Sequence, residues 1–358
     1  MERRLDRERP LWECWIIEGL ARDRWAMLVK IHHCIADGIT AMYLLSNLAA
    51  DDDHDTFASQ IRSAAESNRH PVRLPTPSLN PMNWVGAIAR TAATVTNAAA
   101  LAFEGAAGIV GGLVQAAPHS SLTGPVSTRR RYSAAHVSLA EVEKVCQEFD
   151  VTLNDVALAA ITSSFRAGLI RRNIRPVRTS LRTLVPVSTR GNEAIGTPDN
   201  RVSVMLPFLP VDKSDPQDQL RAVHRRLNRA KVSGQRQAGS TFVAVANLIP
   251  FPLTAWTVRA LTRLPQRGVV TLATNVPGPR RRLHVMGREV VRVLPLAPIA
   301  LQLRIGIAIL SYADEVVFGI TADYEAAPDV DELARGIEEG VARLVASAVS
   351  SPGPAPSD

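Results

Sequence analysis

Two histidines, an aspartate and a glycine lie within one seven-residue stretch, His32-His33-Cys34-Ile35-Ala36-Asp37-Gly38. A neutral imidazole can accept a proton from a hydroxyl group at neutral pH, so His33 is the candidate general base. Asp37 is a residue type that caps helix N-termini. Gly38 permits a sharp turn or the close approach of another segment, because it has no Cβ atom. The stretch therefore predicts proton transfer at a turn.

The residues around this motif predict a buried strand over 25–31 and a helix over 39–50. Side chains alternate between the two faces of a strand. If the alternation continues into the motif, His33 faces an apolar interior and His32 lies on the opposite face. The two histidines are therefore expected to play different parts.

The same strand geometry bears on other interpretations of the motif. A lone histidine at a strand end is more often structural, but two histidines with Asp-Gly at this spacing favour chemistry. Adjacent strand residues point apart, so they chelate a metal poorly, and no further ligand has a suitable spacing. A nucleophilic pair of Cys34 and His33 is disfavoured for the same reason. No metal site is predicted.

Further motifs accompany this one along the chain. They are Pro10-Leu11-Trp12-Glu13, Asn154-Asp155-Val156, Leu184-Val185-Pro186-Val187-Ser188-Thr189-Arg190, Asn200-Arg201-Val202-Ser203, Thr274-Asn275-Val276-Pro277-Gly278-Pro279 and Ser311-Tyr312. The histidine motif resembles the signature of the CoA-dependent acyltransferase superfamily, which includes chloramphenicol acetyltransferases and peptide-synthetase condensation domains. With the other motifs in this order, the chain is similar to the bacterial wax ester synthase/diacylglycerol acyltransferase family.

The resemblance implies an α/β fold of the chloramphenicol-acetyltransferase type, with two halves, mixed sheets and the histidine motif at the interface between the halves. It implies direct transfer of a long-chain acyl group from acyl-CoA to diacylglycerol, to a long-chain alcohol, or to both. The implied reaction needs no metal or redox cofactor. Acyl-CoA takes part in it as a substrate.

The resemblance also assigns roles to residues. The catalytic motif comprises His33 as general base, Asp37 as the residue that holds the turn, and His32 as a structural neighbour. The substrate-binding residues are Gly38, which permits close approach of the chain, and Asn275 and Gly278, which border the active-site tunnel.

The chain departs from the family pattern in three places. Family members carry a substantial segment before Pro-Leu-Trp, whereas Met1 here lies almost directly before it, so an N-terminally truncated member is expected. Thr123-Gly124 replaces an Asn-Gly pair, and Asp199 stands where a glycine is expected. The expected truncation favours one alternative, a catalytically inactive relative that binds lipid or membrane. A separate alternative is another acyl-transfer enzyme of the superfamily, one that uses an amine acceptor.

Composition limits the partners. The 358 residues contain 41 lysines and arginines against 34 acidic residues, and the arginine clusters suit phosphate groups of a nucleic acid, a membrane surface or a phosphorylated cofactor. Only 5% of residues are aromatic and none alternate with arginine, which argues against nucleic acid. The expected partners are acyl-CoA, diacylglycerol or a fatty alcohol, and a peripheral membrane or lipid-droplet surface.

Cysteine usage indicates the compartment. Cys14, Cys34 and Cys146 are widely spaced and odd in number, so no disulfide framework is implied. The first ten residues are charged and do not resemble a signal peptide. A cytoplasmic, peripherally membrane-associated protein is expected.

Four segments are predicted. They are residues 1–69, the remainder of the N-terminal acyltransferase half with the histidine motif; 70–125, a proline-rich linker and Ala/Gly-rich crossover helices; 126–350, the C-terminal half; and 351–358, a disordered tail. The apolar residues of 82–117 are small and are interrupted by Arg90 and Glu104. They predict helices at a membrane surface or over an apolar tunnel, or an ordinary crossover helix, rather than a membrane span.

Local patterns predict the elements of the second half. A capping box at Ser138–Glu141 opens a helix to Phe149, and Thr152 to Asp155 open the next. The further predictions are strands at 179–187, 201–209, 268–274, 288–294, 301–311 and 315–322, a basic helix at 216–232, and a final helix starting near Pro328.

Overall fold

The computed structural model describes residues 5–48, 123–188, 202–232, 269–299 and 302–350. The predictions for the linker, the crossover stretch 82–117 and the C-terminal tail lie outside the described residues.

The N-terminal part is an antiparallel hairpin followed by a helix. Strand β1 (Trp12–Leu20) pairs with β2 (Arg24–Ile31). The tight turn between them has positive φ angles at Arg22 and Asp23. Helix α1 (Gly38–Leu48) follows the histidine motif. The motif therefore connects a strand to a helix, as its flanking residues predict.

A six-stranded mixed sheet forms the centre of the second part. The strands of this part are β3 (Arg130–Ser138), β4 (Thr183–Ser188), β5 (Val202–Met205), β6 (Thr271–Val276), β7 (His284–Val285), β8 (Arg288–Glu289), β9 (Ile305–Tyr312) and β10 (Glu315–Asp323). Strands β7 and β8 form a separate small hairpin, and the other six form the sheet. The order in the sheet is β3-β10-β9-β6-β4-β5. Strand β6 is parallel to β9 and β4, and the other neighbours are antiparallel. The prediction of a mixed sheet is confirmed.

The helices of this part are α2 (Leu139–Phe149), α3 (Leu153–Arg171), α4 (Pro216–Val232) and α5 (Val330–Ser350). Ser138 caps α2 by accepting a hydrogen bond from the Glu141 amide, and Thr152 with Asp155 forms a complete capping box for α3. In α5, apolar side chains that recur at helical spacing are buried: Leu333, Ile337, Val341 and Leu344.

Two glycines bring α5 close to α3. A Cβ atom on Gly336 would lie 2.7 Å from Ser164 Oγ, and one on Gly340 would lie 3.1 Å from Ala160 Cα. The Ser164 hydroxyl donates a hydrogen bond of 2.8 Å to the Leu333 carbonyl. All four helices of this part and one face of the sheet contribute side chains to the main hydrophobic core.

Several strand predictions are wrong at their ends, including those at 179–187, 201–209 and 301–311, which differ from β4, β5 and β9 by up to four residues. The strand predicted at 288–294 is only Arg288–Glu289, because the Val290 amide donates to the Leu283 carbonyl and its carbonyl accepts from the Tyr312 hydroxyl. Strand β6 ends at Val276, two residues beyond the predicted end at Thr274.

None of the helices in the described ranges combines the length and apolarity needed to cross a bilayer.

Candidate active site

The histidine motif begins where β2 ends. The His32 amide donates to the Leu11 carbonyl at 2.9 Å, which is the last contact of the hairpin. The Ile35 amide then donates to the His32 carbonyl at 2.9 Å and closes a tight turn. Strand alternation therefore stops at Ile31, and both histidine side chains are exposed. The prediction that His33 faces an apolar interior is wrong for this reason.

Hydrogen bonding distinguishes the two imidazoles. His32 Nδ1 accepts a hydrogen bond of 3.2 Å from the Cys34 amide, so this ring is held against its own turn. Within the described ranges, the His33 imidazole has no hydrogen-bond partner. The two histidines therefore differ: the turn holds the His32 ring, whereas the exposed His33 ring has no such contact in the described ranges.

Asp37 is the N-cap of α1. Its Oδ1 accepts a hydrogen bond of 2.8 Å from the Thr40 amide, and its carbonyl accepts one of 2.8 Å from the Ala41 amide. The residue is only 7% exposed. Its carboxylate satisfies an amide that the first turn of a helix leaves unpaired, so the contact stabilises the start of α1.

Gly38 brings the motif against the central sheet. A Cβ atom at this position would lie 2.6 Å from Val276 Cγ2, at the end of β6. The structure therefore places two stretches in contact that are far apart in sequence, the histidine motif and Thr274–Pro279.

The turn after β6 is itself fixed to the end of β9. A Cβ atom on Gly278 would lie 2.2 Å from the Ser311 carbonyl oxygen, and the Gly278 amide donates to Ser311 Oγ at 3.2 Å. The Ala313 amide donates to the Pro279 carbonyl at 2.9 Å. Asn275 is half-buried in β6, opposite Ile309 of β9. Only a residue without a side chain fits at Gly278.

A small apolar cluster joins β2 to the same region. Trp25 packs against Leu283, Val285 and Tyr312. The Tyr312 hydroxyl accepts a hydrogen bond from the Leu283 amide at 2.9 Å and donates one of 2.6 Å to the Val290 carbonyl. Burial raises the pKa of Tyr312, so its phenol stays neutral and structural. Sequence reasoning noted Tyr312 within a motif but missed its contact with Trp25.

Sequence reasoning also missed a structural contact of His224 in α4. Its Nδ1 lies 2.9 Å from Asp155 Oδ2, and its Nε2 lies 2.8 Å from Asn228 Nδ2. Asp155 is 1% exposed and also accepts hydrogen bonds from Thr152. The Asp155 carboxylate is therefore structural: it caps α3, as predicted, and links α3 to α4 through His224.

The described residues include no group of three histidine, cysteine or acidic side chains that could hold a metal ion. Cys34 is exposed, whereas Cys146 is partly buried. Burial, with a smaller contribution from Asp155, raises the pKa of the Cys146 thiol to about 11. The Cys146 thiol is therefore protonated at neutral pH and is a poor nucleophile.

Replacing Gly38 by alanine is expected to lower the melting temperature, because the new methyl group would overlap Val276 Cγ2. Overpacking of this kind costs about 1–3 kcal/mol. Scanning calorimetry of Gly38→Ala, Val276→Ala and the double variant measures the effect. Val276→Ala removes the obstructing methyl groups, so the double variant should lose less stability than the two single losses combined. Strictly additive losses would contradict the contact.

Two family models match this chain. The family model described as the wax ester synthase/diacylglycerol acyltransferase catalytic domain matches residues 1–157, and the model of the corresponding C-terminal domain matches residues 199–344. A protein of Mycobacterium tuberculosis (strain H37Rv), named as a probable diacylglycerol O-acyltransferase, is 57% identical over 346 residues. The alignment covers 97% of this chain and 74% of the relative.

Solved structures show the same fold. The wax ester synthase/diacylglycerol acyltransferase of Marinobacter aquaeolei VT8 has a TM-score of 0.61 at 22% identity, over 97% of this chain and 74% of that chain. Polyketide synthase associated protein 5 of Mycobacterium tuberculosis has a TM-score of 0.51 at 16% identity, over 95% and 79% of the two chains. The predicted fold class is confirmed. Together, the family models and the 57% identity show that the chain belongs to the wax ester synthase/diacylglycerol acyltransferase family.

Proposed function

We propose that the chain transfers a long-chain acyl group from acyl-CoA to the hydroxyl group of diacylglycerol or of a long-chain alcohol, with His33 as the general base. Family membership supports acyl transfer as the reaction class, because the family and its relatives are named for acyltransferases. The products would be a triacylglycerol or a wax ester.

One structural observation supports His33 most directly. Its imidazole is exposed and has no hydrogen-bond partner among the described residues, on a turn whose other parts are constrained. Asp37 fixes the start of the helix, and Gly38 fixes the turn against Val276. A general base needs this combination of an accessible nitrogen atom and a rigid support.

In the proposed reaction, the His33 imidazole takes the proton of the alcohol as the alcohol oxygen attacks the thioester carbonyl of acyl-CoA. The new C–O bond gives a tetrahedral intermediate with a negative oxygen, which preorganised hydrogen-bond donors stabilise. Its collapse breaks the C–S bond and releases CoA as a thiolate. The imidazolium returns its proton to the thiolate, so the base is regenerated and no acyl-enzyme forms.

The neighbouring motif residues are proposed as positioning residues. The His32 ring accepts a hydrogen bond from the Cys34 amide and would hold the backbone that carries His33. Asp37 would maintain the helix start through the Thr40 amide. Asn275 and Gly278 would border the substrate tunnel, since both lie within two residues of Val276, against which Gly38 packs.

The test is CoA release by the purified chain from palmitoyl-CoA, with dioleoylglycerol or hexadecanol as acceptor and mass spectrometry of the lipid product. Acceptor-dependent release with formation of the ester is expected. A folded, monodisperse sample that gives no turnover with either alcohol would contradict the proposal and favour the inactive lipid-binding alternative. If CoA is released only when an amine replaces the alcohol, and an amide is the product, the chain is an amide-forming enzyme.

We further propose that the protein contacts a membrane or lipid-droplet surface through the hairpin of β1 and β2. Trp12 and Ile16, on the same face of β1, are 56% and 53% exposed. Exposed tryptophan and aliphatic side chains of this kind enter the interfacial region of a lipid surface.

Vesicle flotation tests this contact. Trp12→Ser/Ile16→Ser is expected to weaken binding to phosphatidylcholine vesicles by about tenfold or more, given the free energy of burying two large apolar side chains. The matched control is Ile170→Ser/Val349→Ser, at two positions that are also exposed but lie on α3 and α5. Equal binding of both variants would contradict a role for the hairpin.

A further inference from the structure

A basic cavity lies between α4 and the loops that flank β4 and β5. Its volume is about 290 Å³, and its polar lining consists of Arg178, Asp212, Lys213, Arg225, Arg226 and Arg229. Ala222 lies at its buried side, where the small side chain leaves space. The lining is too polar for an acyl chain, which needs predominantly apolar walls.

The charges in this cavity are unbalanced. Five cationic side chains face one carboxylate, Asp212. Asp212 forms an ion pair with Arg226, with 3.9 Å between Asp212 Oδ1 and Arg226 Nη2. Among the described residues, no carboxylate lies within ion-pair distance of Arg178, Arg225 or Arg229. The cavity therefore concentrates positive charge in a space that a small anion can enter.

Arg226 is fixed at the centre of this charge. Its Nη1 donates a hydrogen bond of 2.6 Å to the Phe208 carbonyl, and its side chain is only 18% exposed. Burial, the largest cause, lowers the pKa of Arg226; Asp212 opposes this shift, and the neighbouring arginines add to it. A bound anion would offset both the lost hydration and the repulsion.

The cavity is separate from the histidine motif. Arg178 precedes the start of β4, whereas Gly38 contacts the end of β6. Because β4 and β6 are parallel and aligned at their starts, these positions lie at opposite ends of the two strands. The length of a six-residue strand separates them by about 20 Å.

We propose that this cavity is a binding site for a phosphate group, held by Arg178, Lys213, Arg225, Arg226 and Arg229. Arginine forks bind phosphate oxygens in pairs, and the i, i+4 spacing of Arg225 and Arg229 places both on one face of α4. The phosphate can belong to CoA or to a phospholipid head group, since the chemistry of recognition is the same.

Pyrophosphate is the probe for a calorimetric titration of the whole chain. Arg225→Gln/Arg229→Gln is expected to weaken its binding by about tenfold or more, since two charge-assisted contacts are lost. The matched control is Arg221→Gln/Arg288→Gln, which removes the same charge from exposed positions outside the cavity. The control is expected to bind as tightly as the wild type.

Two results would overturn the proposal: failure of the wild type to bind pyrophosphate, or equal weakening in the cavity variant and the control. A thermal readout guards against misfolding, because pyrophosphate should raise the melting temperature of the wild type and the control but not of the cavity variant. The site does not depend on the proposed reaction, so His33→Ala should bind pyrophosphate as the wild type does.

Two further arms identify the source of the phosphate. If it belongs to CoA, the cavity variant should lose affinity for CoA in the same titration. If it belongs to a lipid, the variant should lose flotation with vesicles that contain phosphatidic acid, relative to vesicles of phosphatidylcholine alone. If only pyrophosphate binding falls, the site takes free phosphate.

Discussion

His33→Ala is expected to lower the rate of CoA release from palmitoyl-CoA by about 10²- to 10⁴-fold, the usual contribution of a general base. The variant removes the only nitrogen atoms proposed to take the alcohol proton. Stability should change little, within about 0.5 kcal/mol, because the side chain is exposed and has no hydrogen-bond partner in the part of the chain that the structure describes.

Two controls make this experiment specific. His284→Ala removes another exposed histidine, in β7, and should retain full activity. His33→Gln keeps a polar side chain of similar size that cannot act as a base, so it should be as inactive as His33→Ala. If His33→Ala and His284→Ala turn over at equal rates, His33 is not the base, and the assignment of the motif residues must change.

Gly278→Ala is expected to be the most destabilising of the small substitutions proposed for the site. Its Cβ atom would lie 2.2 Å from the Ser311 carbonyl oxygen, which belongs to the backbone of β9 and cannot rotate away. Relief requires a backbone shift, with a cost of about 1–3 kcal/mol or more. The shift would also disturb the Gly278 amide contact with Ser311 Oγ.

Gly168→Ala is the matched control for this variant, measured in the same denaturant titration. A Cβ atom at Gly168 of α3 would meet its nearest neighbours at 3.8 Å, an ordinary van der Waals distance. Alanine also favours the helix by up to about 1 kcal/mol over glycine. Gly168→Ala should therefore be neutral or stabilising. Equal unfolding free energies for the two variants would show that the turn after β6 adapts freely.

Local patterns were sufficient for most elements. The spacing of Leu333, Ile337 and Val341 predicts the buried face of α5, and Thr152 with Asp155 predicts the start of α3. These features depend on residues within one or two turns of each other, so they can be derived from the sequence. The division of the chain at 70–125 stays a prediction, because residues 49–122 lie outside those described.

The strand-based prediction for His33 failed for a local reason. Alternation applies only while the chain stays extended, and the Ile35 amide closes a turn on His32 immediately after β2. The contact between His224 and Asp155 had no local signal, because the two residues are on different helices.

For this protein, the sequence alone determined the histidine motif and its strand-to-helix setting, because those depend on residue types at short, fixed spacings. The reaction class came from the resemblance of the motifs to a known family. Only the tertiary structure decided which distant segments support the motif. Gly38 meets Val276, Gly278 meets Ser311, and the cations of α4 meet Arg178, through packing that brings remote parts of the chain together. Such contacts follow from sheet order and register, which no local pattern encodes.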